Sequence, residues 1–425
     1  MINKRIIGIL KYELDLFLTL PLSLPFLFFL IITVSTTAQE QQNVIEKMKE
    51  EVTYLASDEL EGRATGTIGE KKAAEYIHNK MSDLGLKVFL QEFDVVFHGQ
   101  KTNLKGTNVI GYLDNNADNV IILGAHYDHL GYGDFGSRSP NSKEIHNGAD
   151  DNASGVALIL ELAKQLKKDN IKSNVIFIAF SGEELGLLGS DYFASNIKDF
   201  FKQELMDTVW CKYMLNFDMV GKLKNNKLTI NGVGTSNWSS LIKEVLSQEH
   251  KRNKKTLNIT EISSGIGPSD YTSFYKQKIP VLSFFTGAHD DYHTPKDDFD
   301  RLNYYGIHEI LLFARSIIKE ADNVNMYFIK TKEDNSKESP RFSVTLGVMP
   351  SYSFDGKGMK IDVVIDNRPA SKSGIKNGDI VVKIGQHKVD DLNSYMKALG
   401  KFKKGDIATV FVLRSNKTKS FQVVF

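Results

Sequence analysis

The sequence predicts an α/β fold: a mixed, mostly parallel sheet with helices on both faces, plus a small β-rich domain. Three observations lead there. Runs such as Val175 to Phe180 are apolar and β-branched without alternation, the pattern of a strand buried on both sides. From Val120 onward such runs alternate with helical stretches, the order expected of a parallel sheet. At 425 residues the chain exceeds one ordinary core, so two domains are expected.

Composition narrows the function classes. The chain is 41% hydrophobic and 25% charged with a formal net charge of +1, which suits a soluble globular protein and gives no support for nucleic-acid binding. The single cysteine, Cys211, lies in an apolar stretch and permits no intrachain disulfide. It reads as a buried, inert thiol.

Residues 1–38 read as a leader. Lys4, Arg5 and Lys11 precede an almost wholly apolar run from Leu16 to Val34, and Ser35-Thr36-Thr37-Ala38 suits cleavage after Ala38. The run is long enough to serve instead as an uncleaved membrane anchor, although Pro21 and Pro25 count against a straight span. In either case the body is expected to be exported, periplasmic or secreted.

Residues 40–330 are the expected catalytic domain. Helical spacing marks Val44 to Leu60, and the stripe Ala73, Ala74, Tyr76, Ile77, Met81 and Leu84 marks a helix from Glu70 to Leu86, ended by Gly85. Lys87 to Val96, Thr107 to Leu113 and Asn119 to Leu123 read as strands with no helix between them, hence an antiparallel edge on a mixed sheet. Further strands are Val175 to Phe180, Tyr213 to Phe217, Leu228 to Ile230 and Pro280 to Phe285. Helices are expected over Val156 to Leu166, Leu241 to Glu249 and about Tyr305 to Ala321. Thr331 to Pro340, TKEDNSKESP, is charged, nearly free of apolar residues, and reads as a linker. Residues 341–425 form the β-rich module, with a short helix near Asn393 to Leu399.

Chemistry-bearing residues follow the apolar strands. His126 and Asp128 close one, Glu183-Glu184 another, Asp218 a third and His293 a fourth, while Asp151 opens a helix. In open α/β sheets ligands bind where such strand ends meet. Two imidazoles and three carboxylates suit zinc, with cobalt or manganese less favoured, and a carboxylate between two half-sites can bridge two ions. Singly, each residue has an ordinary reading: Asp151 as an N-cap, Asp218 in an Asx turn, Asp128 capping a turn, Glu183-Glu184 as a solvated pair at a helix start.

The segments GAHYDH, GADDNASG, FSGEELGLLGS, NFDMVG and DYHTP, in this order, resemble the signatures of the co-catalytic zinc aminopeptidases, family twenty-eight of the metallopeptidases. SDELEGRATGT and KAAEYI resemble its bacterial amino-terminal part. The resemblance implies the zinc exopeptidase fold and two zinc ions, one held by His126, Asp151 and Asp218, the other by Asp151, Glu184 and His293. It implies Asp151 rather than Asp150 as the bridge, a non-proline cis peptide after it, Glu183 as general base and Asp128 as the partner orienting His126. Tyr292 would donate to a developing oxyanion or simply pack, and His289 and the loop Gly131 to Asn147 would border the entrance. The implied substrate is a peptide with a free amino terminus.

In the module, Val344 to Met349 resembles the carboxylate-binding loop of a PDZ domain, and Ala370 to Gly385 the segment between its small helix and a core strand. The order resembles the permuted bacterial type. It implies a groove between Leu346–Met349 and Ser394–Leu399 for a peptide or protein C-terminus, or a domain that only covers the catalytic unit. Pro350 departs from the pattern by removing a donor near the groove edge. The alternatives to an aminopeptidase are another zinc-exopeptidase reaction, carboxypeptidase or glutaminyl cyclase, and a non-catalytic peptide-binding protein.

Overall fold

The computed structural model describes residues 24–425 except 98–99, 135, 140–141, 206–207, 252–255, 332–343, 351–353, 355 and 366–367. Residues 1–23 of the expected leader and 332–340 of the expected linker lie outside the described residues. The chain divides into two compact units, Met1–Lys47 and Met48–Phe425. Helix α1, Leu24–Leu55, continues through Ser35–Ala38, where the sequence suggests cleavage. Among the described residues, no helix is long and apolar enough to cross a membrane.

In the second unit, α1 buries Met48, Val52 and Leu55. Helix α2, Ile68–Asp83, starts where Thr67 accepts from the Glu70 N–H, and it buries Ala73, Ala74, Ile77 and Met81. Strands β1 (Lys87–Phe97), β2 (Gln100–Leu113) and β3 (Asn119–His126) follow, then helix α3 (Ser154–Asp169) and strand β4 (Asn174–Phe180). Helices α4 (Leu188–Ser195) and α5 (Ile197–Glu204) lead to β5 (Trp210–Phe217) and β6 (Lys227–Asn231). Next come α6 (Trp238–Lys251), β7 (Asn258–Ile262), α7 (Tyr271–Lys276), β8 (Val281–Phe285) and α8 (Tyr304–Asp322).

The eight strands form one sheet in the order β1-β2-β4-β3-β5-β8-β6-β7. Its centre, β4-β3-β5-β8, is parallel throughout, while β1 and β2 form the antiparallel edge expected from the sequence. Beyond β8, β6 is antiparallel to it and β7 parallel to β6. Alternate residues of β3 and β4 supply the two faces: Val120, Ile122, Ile176, Ile178 and Phe180 pack with Phe193, Phe200 and Phe274 from α4, α5 and α7. The other face lies under α3, which packs on β3, β4 and β5, and α8 packs on α3.

Three elements were not foreseen. Strand β7 is a short edge strand whose side chains are only partly buried, so no apolar run announces it. Helices α5 and α7 are two turns or fewer, too short for their spacing to stand out. Thr331, where the linker was expected to begin, is buried; its N–H donates 2.8 Å to the Tyr275 hydroxyl.

The C-terminal module comprises β9 (Val348–Pro350), β10 (Met359–Val364), helix α9 (Pro369–Ser373), β11 (Ile380–Ile384), β12 (His387–Lys388), helix α10 (Leu392–Leu399), β13 (Ile407–Arg414) and β14 (Lys417–Val424). Its antiparallel sheet runs β14-β13-β11-β10-β9, with β12 beside β11. Leu346, Ile361, Val381, Tyr395, Leu399, Val410 and Val423 form its core.

Candidate metal centre

Because β3, β4, β5 and β8 are parallel, their carboxyl ends meet at one edge. The register sets His126 opposite Phe180 and Phe217 opposite Phe284, so the residues that follow each strand share one crevice. Asp151 reaches it from the start of α3. The turn before it requires Gly148: its φ is +58°, and a Cβ there would lie 2.3 Å from the Asp151 carbonyl oxygen and 2.5 Å from the His129 ring.

Asp151 stands between two half-sites. Its Oδ1 is 3.2 Å from His126 Nε2, which is 3.4 Å from Asp218 Oδ1. Its Oδ2 is 3.2 Å from His293 Nε2, which is 3.2 Å from Glu184 Oε2. The peptide bond after Asp151 is cis. Two ligands ~2.1 Å from a tetrahedral zinc lie ~3.3 Å apart, so these separations fit ligands sharing an ion. His293 Nε2 is buried and makes no hydrogen bond, as expected of an atom reserved for a metal. The donor set, imidazole and carboxylate only, fits zinc.

The pKa directions reflect this crowding. Burial alone would raise the Asp151 carboxyl, but the facing imidazoles of His126 and His293 hold it well below the usual range. Burial would likewise raise Glu184, yet His293 brings it to about 2. Glu183 goes the other way: burial, reinforced by the Glu184 and Asp270 carboxylates against the pull of His126, raises it well above the ordinary value. A carboxyl with raised affinity for protons thus stands beside carboxylates held ionised.

Asp128 acts differently from the expectation. Its carboxylate is 3.9 Å from His126 Nδ1; its main-chain carbonyl, at 3.1 Å, orients that ring instead. The carboxylate accepts from the Glu183 N–H at 3.1 Å, the Glu184 N–H at 3.4 Å and the Thr65 hydroxyl at 3.0 Å, so it sets the glutamate pair. His289 lies 3.0 Å from Asp150 Oδ2 and does not line the cavity above the ligands. Tyr292 does line it, with its ring stacked on His293 at 3.8 Å between centroids. From the expected entrance loop, the Gly136 carbonyl oxygen lies 2.9 Å from His293 Nδ1, and the Arg138 N–H donates 2.9 Å to the His293 carbonyl. His293 is held at φ 53°, in the left-handed region that a non-glycine residue enters only when its surroundings impose it.

Three contributors were missed in the sequence. His129, fully buried, places Nδ1 2.9 Å from Glu184 Oε1 and 3.8 Å from Asp151 Oδ2, and belongs to one of two groups able to hold an ion. Asp270 is buried beside the cavity, and burial pushes its carboxyl up to about 7 against the pull of His126. Arg63, within EGR, is buried and donates to the carbonyls of Leu55, Tyr127, Asn147 and Gly148, joining α1 to the loop after β3 and the turn before Asp151. Burial lowers its guanidinium to about 10 despite the nearby carboxylates. The second imidazole of HYDH was the only local signal for any of them.

A parallel-centred sheet with imidazole and carboxylate ligands at its carboxyl edge defines a zinc-exopeptidase fold. Solved structures agree: a Zn-dependent exopeptidase from Parabacteroides distasonis superposes with TM-score 0.54 at 20% identity, covering 65% of this chain and 97% of that one. A glutaminyl cyclase from Bacteroides thetaiotaomicron gives 0.54 at 19% identity over 65% and 97%. Residues 108–318 match the model of peptidase family M28 and residues 333–424 that of the PDZ domain, in that order along the chain. Among curated relatives, Aminopeptidase YwaD of Bacillus subtilis is 30% identical over 216 residues, 48% of this chain and 42% of that protein. Uncharacterized protein YfbL of Escherichia coli is 24% identical over 291 residues, 63% and 85% of the two chains. The chain spans about half the length of several other curated relatives it matches.

Proposed function

We propose that this protein is an exported dizinc aminopeptidase that removes residues from the free amino termini of peptides. The observation that carries it is Asp151, whose two oxygens face His126 and His293 at 3.2 Å each, with Glu183 beside them. His126, Asp151 and Asp218 would hold one zinc, and Asp151, Glu184 and His293 the other. Bound there, zinc supplies Lewis acidity, polarising a carbonyl and lowering the pKa of water toward neutrality.

The chain's own groups do the rest. Glu183 takes a proton from the attacking water and delivers it to the leaving amine, work that its raised proton affinity suits. The Asp128 carboxylate fixes the Glu183 and Glu184 N–H groups, so base and ligand keep their relative positions. Tyr292 reaches the cavity and is positioned to donate to a developing oxyanion. The cavity, about 380 Å³, has apolar walls from Leu187, Met219, Tyr271 and Phe285, which support an apolar terminal side chain.

Paired peptides with free and acetylated amino termini test the proposal on zinc-loaded protein. Hydrolysis of the free form alone is expected; equal cleavage of both forms excludes an exopeptidase. The glutaminyl cyclase neighbours favour one competing reading, which metal counting separates: two zinc ions per chain support the peptidase, and one supports the cyclase.

A further inference from the structure

Pro350, on strand β9 of the PDZ module, lines the same cavity as His126, Asp151, Glu183 and Tyr292. The module therefore forms part of the wall of the catalytic site. Strand β9 ends its sheet, pairing only with β10 among the described residues, and a terminal strand is the place where a further strand can add. The loop just before it, Leu346-Gly347, turns at Gly347 with φ +70°; a Cβ there would lie 2.1 Å from Arg368 Cβ. The exposed Arg368 is thus set against the loop, a cation at the start of β9. Leu346, Val348, Met396 and Leu399 belong to one apolar cluster that joins this strand to helix α10.

We propose that the PDZ groove and the metal cavity form one continuous substrate site, which takes short peptides with a free carboxyl terminus and an apolar last residue. The proposal rests on the aminopeptidase reading above. Its direction follows from charge: the terminal carboxylate belongs at the loop backed by Arg368, so the peptide runs antiparallel to β9. Its amino end then leaves at Pro350. Proline has no N–H to offer, so strand pairing stops there and the peptide is released at the rim of the cavity. Three residues along β9 span ~10 Å, so a peptide must exceed about three residues to occupy the strand and still reach the cavity.

The test uses full-length, zinc-loaded protein and one amino-terminal sequence extended from a dipeptide to about twelve residues, each length as free acid and as amide. An aminoacyl anilide, too short to reach the groove, reports the chemistry alone. The expected result is a kcat/KM that rises beyond about three residues and is about tenfold higher for acid than amide. R368E is expected to bring that ratio to one or below. Equal rates for acid and amide at every length, with the anilide cleaved, overturn the continuous site and leave the aminopeptidase standing. Should neither anilide nor peptides be cleaved, the catalytic reading fails, and anisotropy of a peptide labelled on an internal lysine decides the groove. Tenfold tighter binding of acid than amide upholds it; equal Kd values overturn it.

Discussion

Single side chains divide the work of this site sharply. Replacing Glu183 by Gln keeps the shape and removes the proposed proton acceptor, so kcat is expected to fall about a thousandfold with zinc content unchanged, read by steady-state kinetics and metal analysis. His129 should behave in the opposite way. It touches the proposed ligand Glu184, and H129A is expected to weaken zinc binding ~10–100-fold in a chelator competition. The proposed ligands were legible as candidates in the sequence because all but Asp151, which opens a helix, stand in short motifs after apolar strands. Asp270 and Arg63 were not, since a buried carboxyl or guanidinium leaves no periodic trace. Asp128 was legible as a participant but not in its action: only coordinates distinguish its carbonyl from its carboxylate beside His126.

At the scale of elements, strand ends position the site and helix contacts hold the frame. Asp169, at the last residue of α3, pairs with Arg315 of α8 across one face of the sheet, and that guanidinium lowers its carboxyl pKa. A depressed folded pKa contributes stability above the unfolded value of ~3.9 and loses it as pH falls through the folded value. D169N is therefore expected to destabilise by about 1 kcal/mol at neutral pH, after allowance for solvent screening at the partly exposed pair. The gap to wild type should close as pH falls below the depressed folded value, read in urea titrations. The parallel strands were readable from uninterrupted apolar runs, and the antiparallel edge from the lack of intervening helices. Strand β7 and helices α5 and α7 were not, because their packing depends on neighbours distant in sequence.

Across the whole molecule, the PDZ module reaches the cavity through Pro350, and the expected linker is held at its first residue. Tyr275 holds Thr331 through both its N–H and its hydroxyl. Y275F keeps the ring and loses this tie, so it should lower stability by ~1–2 kcal/mol and reduce the preference for free-acid peptides over amides. Domain order was legible in the sequence; the position of Pro350 over the cavity was not, because no local pattern records which surfaces of two domains face one another. The crowd of acidic groups at the sheet edge reaches further still. Asp128, Asp151, Glu183, Glu184, Asp218 and Asp270 repel one another until cations arrive, so zinc should raise Tm and give ~2.7 kcal/mol at a hundred times its Kd, measurable against chelator-treated protein. Where zinc is scarce, copies of this protein would consequently open more often and be degraded sooner, so that its amount would follow metal supply.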